Sequence, residues 1–215
     1  MSPAPPVGRL TGAAPTALHE RRLAAVTEAV RNARTVLDLG CGDGDLFCRL
    51  AAMPGLERLA GLDQDRAALG RLEARLAALR AAGGLGPAEI TLIEGSILAA
   101  GAELAGFDVG LLVETIEHID ADRLSALETA LFGRMRPARV VVTTPNADYN
   151  PLLGVPARRF RHPDHRFEWD RARLKAWASG GAVRHGYRVA TGDLGGSHPR
   201  LGGPSQIAIF DRTAA

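Results

Sequence analysis

Apolar residues along the chain alternate between two rhythms. Leu18, Leu23, Val26 and Val30 recur at near-helical spacing, which predicts a helix from about Thr16 to Ala33. Next comes Val36-Leu37-Asp38-Leu39, then Gly40, Gly42 and Gly44, then the helix-like Leu46 to Leu50. This predicts a buried strand, a turn free of Cβ obstruction, and a helix whose amide dipoles face whatever lies over the turn. A second strand, Arg58 to Leu62, ends at Asp63. From Asp65 to Ala82 a stripe of Leu69, Leu72, Leu76 and Leu79 predicts an amphipathic crossover helix, ended by Gly83-Gly84-Leu85-Gly86-Pro87. Further strands are expected at Ile90 to Ile93, Phe107 to Val113 and Arg139 to Thr143, with a helix from Arg123 to Met135.

Strands alternating with helices predict an α/β fold, a doubly wound and mostly parallel sheet that binds its ligands at the carboxyl ends of the strands. Arg173 to Ser179 reads as a helix, and Tyr187 to Thr191 with Gln206 to Phe210 as an antiparallel hairpin closing a seven-stranded sheet. Residues 16–215 are expected to form a single domain, and Met1 to about Pro15, rich in Pro, Gly and Ala, a loose tail.

Composition adds limits. The 215 residues suit one domain, and 46% hydrophobic with 23% charged residues are globular values. No apolar run reaches the length of a membrane span, and the first residues lack the basic and apolar regions of a secretory signal, so a soluble, cytoplasmic, monomeric protein is expected. Cys41 and Cys48 have neither metal-ligand nor disulfide-framework spacing and read as buried small residues. A net charge of +2 gives no global basic field.

The glycine turn discriminates between ligands. A dinucleotide fingerprint needs Gly-x-Gly-x-x-Gly, and here Asp45 stands at the last position, which disfavours a nicotinamide enzyme. The Asp-x-Gly-x-Gly-x-Gly form beginning at Asp38 resembles motif I of class I S-adenosylmethionine-dependent methyltransferases. That cofactor has no pyrophosphate, and its amino acid group can use an acidic partner. Asp63, about twenty residues on, is placed to accept the ribose hydroxyls of an adenosine, a helix cap being the plainer alternative. In the same superfamily the segment at Ser96 and Ile97 commonly holds the adenine edge. Asp38, Gly40, Gly42, Asp63, Ser96 and Ile97 are therefore the expected cofactor residues.

After the fourth strand the chain reads Glu114-Thr115-Ile116-Glu117-His118. On one helical turn these donors make a plausible facial site for a hard or borderline divalent ion, although such a pattern also occurs on solvated helix faces. After the fifth strand come Thr144-Pro145-Asn146-Ala147-Asp148-Tyr149-Asn150 and then Arg161-His162-Pro163-Asp164-His165-Arg166-Phe167-Glu168-Trp169. The proline and polar residues mark functional loops.

Taken together, the motif I turn, Glu-x-x-Glu-His, Thr-Pro-Asn-x-x-Tyr-Asn and Asp-His-x-Phe-Glu-Trp resemble the small-RNA 3′-terminal 2′-O-methyltransferases. This HEN-type family serves plant microRNA, animal piRNA and bacterial RNA repair. The resemblance spans about Asp38 to Trp169. It implies that Glu114, Glu117, His118 and His165 bind Mg²⁺ or Mn²⁺ and carry the catalytic step, and that the metal holds the 2′ and 3′ hydroxyls of an RNA 3′ end. In bacterial members it also implies a kinase, phosphatase and ligase as RNA-repair partners. The chain departs from the family in extent: the RNA-binding domains of many eukaryotic members and the N-terminal half of bacterial repair members are not among these 215 residues.

Several roles stay open at this level. His162 reads as a further base, a phosphate ligand or a polar loop residue. Between positions 158 and 175, seven basic residues (Arg158, Arg159, Arg161, Arg166, Arg171, Arg173, Lys175) face three acidic ones, a local +4 that suits RNA backbone, or a solvated helix face for the last three. Phe167 and Trp169 read either as base-stacking residues or as anchors of the loop. Two other functions fit the same residues: methyl transfer to a small-molecule hydroxyl, and a non-catalytic RNA-binding module.

Overall fold

The computed structural model describes residues 17–213, so the tail expected over Met1 to Pro15 lies outside the described residues. In chain order the strands are β1 (Thr35–Leu39), β2 (Arg58–Asp63), β3 (Glu89–Glu94), β4 (Val109–Val113), β5 (Arg139–Pro145), β6 (Tyr187–Leu194) and β7 (Ser205–Arg212). They make one sheet in the order β3-β2-β1-β4-β5-β7-β6. The first five are mutually parallel, and β7 runs antiparallel to both β5 and β6. The order reverses between β1 and β4, which opens a crevice at their carboxyl ends.

Successive residues of the central strands are buried on opposite faces. Val36 packs with Leu23 and Val26 of α1 (Ala17–Ala29), Phe47 and Leu50 of α2 (Asp45–Ala51), and Leu69 and Leu72 of α3 (Arg66–Ala81). Its neighbour Leu37 faces the other core, with Leu127 of α4 (Leu124–Glu128), Leu131, Phe132, and Leu174 and Ala178 of α5 (Arg171–His185). Covered on both sides, these strands read as continuous apolar runs. Among the described residues no helix is long and apolar enough to cross a membrane.

The expected elements are all present, and two differ in form. The helix expected from Arg123 to Met135 is a 3₁₀ turn at Ala121–Arg123, then α4, then a π-helical stretch Thr129–Met135 that Arg136 ends in the left-handed region. The wider π turn buries Ala130, Leu131, Phe132 and Met135 together, and the Phe132 ring lies 4.8 Å from that of Phe210. α5 runs well beyond Ser179, through Gly180 and Gly181, and stops at Gly186 with φ +73°. Gly181 and Ala182 are buried there, so packing overrides the weak helix propensity of glycine.

Candidate active site

The turn after β1 owes its shape to its glycines. A Cβ on Gly40, whose φ is +83°, would sit 2.6 Å from the Thr115 side chain, so the turn and the segment after β4 touch only because that atom is missing. Asp63 ends β2 with both carboxylate oxygens engaged by backbone: Oδ2 accepts from the Gly42 amide at 2.8 Å and Oδ1 from the Asp65 amide at 2.8 Å. Each oxygen keeps a further lone pair for a ligand hydroxyl. Asp38 is buried, and burial reinforced by Asp63 pushes its carboxyl up to about 7.

A cleft of about 610 Å³ lies over this edge of the sheet, bordered by Gly40, Asp63, Ser96, Ile97, Glu114 and His118 among others. A smaller cavity of about 180 Å³ adjoins it through Gly40 and Glu114 and is bordered by Asp38 and Arg22. Four of the six expected cofactor residues thus line the main cleft and Asp38 lines the neighbouring cavity. Gly42 lines neither, and acts here through its amide on Asp63.

Glu114 leaves β4 with φ +49°, a strained conformation for a residue with a Cβ. Its amide donates to the Thr143 carbonyl at 3.0 Å, and its carboxylate takes the Thr143 hydroxyl at 3.0 Å and the Arg22 guanidinium at 3.0 Å. A 3₁₀ turn, Ile116–His118, follows. Glu117 is fully buried: Oε2 accepts from the Thr144 hydroxyl at 3.0 Å, while Oε1 has no hydrogen-bond partner. Burial first, then the charge of Glu114, raises the Glu117 carboxyl well above the usual range. Burial and the neighbouring His165 lower His118.

The loop before α5 supplies the third donor. The His165 ring centroid lies 4.9 Å from that of His118, and the Arg166 amide donates to the Glu117 carbonyl at 2.7 Å, fastening the two segments. Ligand-capable atoms of Glu117, His118 and His165 all lie within 4.8 Å of one another. Glu114, expected as a fourth donor, is not within that group, and its carboxylate is held by Arg22 and Thr143. The His165 Nδ1 is 2.6 Å from Glu168 Oε1, and the His118 Nδ1 is 3.3 Å from the Asp164 carbonyl, so each ring has its Nε2 available. A buried carboxylate oxygen without a partner and two imidazoles oriented from behind fit a divalent ion.

Behind the donors is a polar scaffold. Glu168 also accepts from the Arg161 amide at 2.7 Å and from Asn150 Nδ2 at 2.6 Å. The Arg161 guanidinium donates to Asn150 Oδ1 and to the Pro204 carbonyl, each at 2.6 Å, and to the Asn146 carbonyl. Asn146 in turn holds the Leu201 and Gly203 carbonyls, each at 2.8 Å. Arg161 is therefore a structural tie, which corrects its expected place in the basic cluster. Arg171 likewise has Asp148 at 3.2 Å, and Arg166 has Asp120 at 3.4 Å. Phe167 and Trp169 are buried and stacked on each other at 4.5 Å, so they anchor the loop. The His162 ring lies at the rim of the cluster, 5.6 Å from that of His165. Cys41 is buried and its thiol is raised by that burial, and Cys48 is half-buried; neither is bonded to the other.

Arg22 and Thr143 take part in this site and were not expected from the sequence, whereas Thr144, expected as the start of a functional loop, holds Glu117 from the end of β5. Two threonines ending a valine-rich strand were a signal that β5 finishes on polar contacts. Nothing in the helical pattern separates Arg22 from Arg21.

Comparison with known proteins adds relatives. A family model described as a methyltransferase domain matches residues 36–137. The small RNA 2′-O-methyltransferase of Gallus gallus is 38% identical over 204 residues, covering 90% of this chain and 53% of the relative. The crystallised methyltransferase domain of bacterial CtHen1-C is 35% identical, with a TM-score of 0.80 over 92% of this chain and 100% of that one. The small RNA methyltransferase HEN1 is 30% identical, with a TM-score of 0.84 over 97% of this chain and 28% of that one. The chain spans about half the length of the vertebrate relatives it matches.

Proposed function

Since the chain belongs to the Hen1 family of methyltransferase domains, we propose that it transfers a methyl group from S-adenosylmethionine to the 2′ oxygen of the 3′-terminal nucleotide of an RNA, with a divalent ion, in RNA end protection or repair. The observation that carries this reading is the convergence of Glu117, His118 and His165, of which His118 lines the cleft that Gly40 and Asp63 also line. Methyl donor and hydroxyl acceptor would thus share one edge of the sheet.

Each side chain has a role in this reading. Asp63, held by the Gly42 and Asp65 amides, would accept the ribose hydroxyls of the cofactor, with Ser96 and Ile97 against the adenine. Asp38 would face the cationic amino group. Glu117, His118 and His165 would hold Mg²⁺ or Mn²⁺, with Glu114 beside them as the fourth donor that the family resemblance implies. Two histidines favour Mn²⁺. When bound, such an ion supplies Lewis-acid polarisation of a ribose hydroxyl, lowering its pKa. The strained turn at Glu114 and the Glu117–Arg166 backbone bond fix donor groups from two segments against the cofactor edge, and positioning is the main task where the sulfonium is already activated. Recognition of both vicinal hydroxyls would select a free 3′ end and reject DNA.

The test is tritiated-methyl transfer to an RNA with a free 2′,3′ diol, to its 3′-phosphorylated copy and to a copy with a 2′-deoxy end, with and without chelator. Labelling confined to the diol and lost in chelator is expected. Equal labelling of the phosphorylated copy would sink the terminal-diol reading, and full activity in chelator the metal.

A further inference from the structure

Between Asn150 and Arg161 the chain leaves the protein body and returns, and both of its ends are fastened to the residues behind the donor cluster. Arg161 Nε donates to Asn150 Oδ1 at 2.6 Å, and both residues bond Glu168, which holds His165. The loop they close therefore has a fixed relation to the reacting end of the cleft. Phe160 is only two residues from His162, at most about 7 Å of extended chain.

What the loop presents is unusual. Four large apolar side chains are exposed among the described residues, and three belong to this one loop: Leu152 at 53%, Leu153 at 47% and Phe160 at 47%. Between them stand Arg158 and Arg159, both exposed. The ion pairs and hydrogen bonds of the described residues leave both guanidinium groups without an acceptor, whereas Arg161, Arg166 and Arg171 nearby are all engaged. Arg158 also has φ +64°, a strained backbone for a residue with a Cβ, and such strain collects at functional sites. The exposed apolar surface is poorly matched to water, and the two solvated cations beside it are available to an anionic partner. Together they are well matched to a single-stranded nucleic acid, which offers base faces for stacking and phosphates for arginine.

We propose that the Asn150–Arg161 loop is the docking platform for the RNA strand just 5′ of the methylated nucleotide, with a base on Phe160 and phosphates on Arg158 and Arg159. This rests on the RNA reading above and extends it. The donor cluster handles the terminal ribose, and the loop supplies strand affinity without reading sequence, because every base has a stackable face. Of the expected local +4, Arg158 and Arg159 are the members on this loop that are free to meet phosphate, whereas Arg173 and Lys175, also exposed, stand on α5.

The test compares Phe160→Ala and the double variant Arg158→Ala/Arg159→Ala with wild type and with Val183→Ala, an exposed apolar control on α5. Binding of a single-stranded 12-mer RNA is followed by fluorescence anisotropy over a salt series, alongside methyl transfer and S-adenosylmethionine affinity. Each loop variant is expected to weaken RNA binding by roughly tenfold, Phe160→Ala through loss of one stacked base and the arginine pair through loss of phosphate contacts. The arginine pair should in addition lower the slope of log affinity against log salt by about 1 to 2. KM for RNA should rise while kcat and cofactor affinity stay near wild type. Unchanged RNA affinity in both variants, the result expected of a protein-docking patch, overturns the proposal. Wild type that binds RNA through this loop and transfers no methyl group would instead defeat the functional reading and leave the loop assignment supported. Wild type that binds no RNA overturns both.

Discussion

The Nδ1 of His165 lies 2.6 Å from Oε1 of Glu168, and both side chains are withdrawn from solvent, at 8% and 1% exposure. This contact occupies Nδ1 and fixes the ring orientation, leaving Nε2 as the ring's remaining donor atom beside Glu117 and His118. Partners of that kind behind a metal-ligating histidine typically contribute 10- to 100-fold, as an order of magnitude, to metal affinity. Glu168→Gln is expected to weaken Mn²⁺ binding by about that factor, read by calorimetric titration. Mn²⁺ affinity equal to wild type would show that Glu168 serves only the loop.

Arg22 and Glu114 form a mostly buried ion pair between α1 and the end of β4, with 14% and 19% side-chain exposure. Removing one member strands the other charge, at a cost of about 3–5 kcal/mol for such pairs. Arg22→Ala should therefore lose a large part of that in urea unfolding. The double variant Arg22→Ala/Glu114→Gln should recover much of it, and a double variant no more stable than Arg22→Ala would contradict the pairing.

Asp38 gives the site a pH response. Burial holds its carboxyl at about 7 in the folded chain, against an ordinary value of 3.8. Between these values the folded state binds more protons than the unfolded one, so this group's contribution to stability is full below about 4 and is lost as pH rises toward 7. A ligand with a cationic amino group favours the ionised form. Affinity for S-adenosylmethionine is accordingly expected to rise from pH 6 to pH 8, with proton release on binding, and Asp38→Asn should flatten the rise. Calorimetry in buffers of different ionisation heat measures both, and a wild-type affinity independent of pH would exclude the role.

Gly40→Ala should be severe. The added Cβ would lie 2.6 Å from Thr115 at a φ of +83°, combining a clash with backbone strain of about 1–3 kcal/mol. Gly55→Ala, with open space around it, serves as the neutral control. Calorimetric cofactor binding and thermal unfolding should separate the two variants, and equal behaviour would show that the close approach at Gly40 is dispensable.

The sequence by itself determined the sheet and its carboxyl edge. Apolar strands buried on both faces, a leucine stripe and three spaced glycines are local patterns, and local patterns set element type, order and parallel topology. Asp63 and the acidic and histidine motif were legible for the same reason, because strand ends in such a sheet share one side. Two helices were misjudged where packing outweighed propensity, at the π turn through Thr129–Met135 and at Gly180-Gly181. The tertiary structure alone decided which charges are internal. Arg161 and Arg158 look alike along the chain, yet the first is consumed by Asn150, Asn146 and Pro204 while the second faces solvent. It alone brought Arg22 to Glu114 across 92 positions, set Glu168 behind His165 and turned Phe167 and Trp169 inward. A side chain's partners depend on where distant segments fold back, and residue spacing carries no record of that.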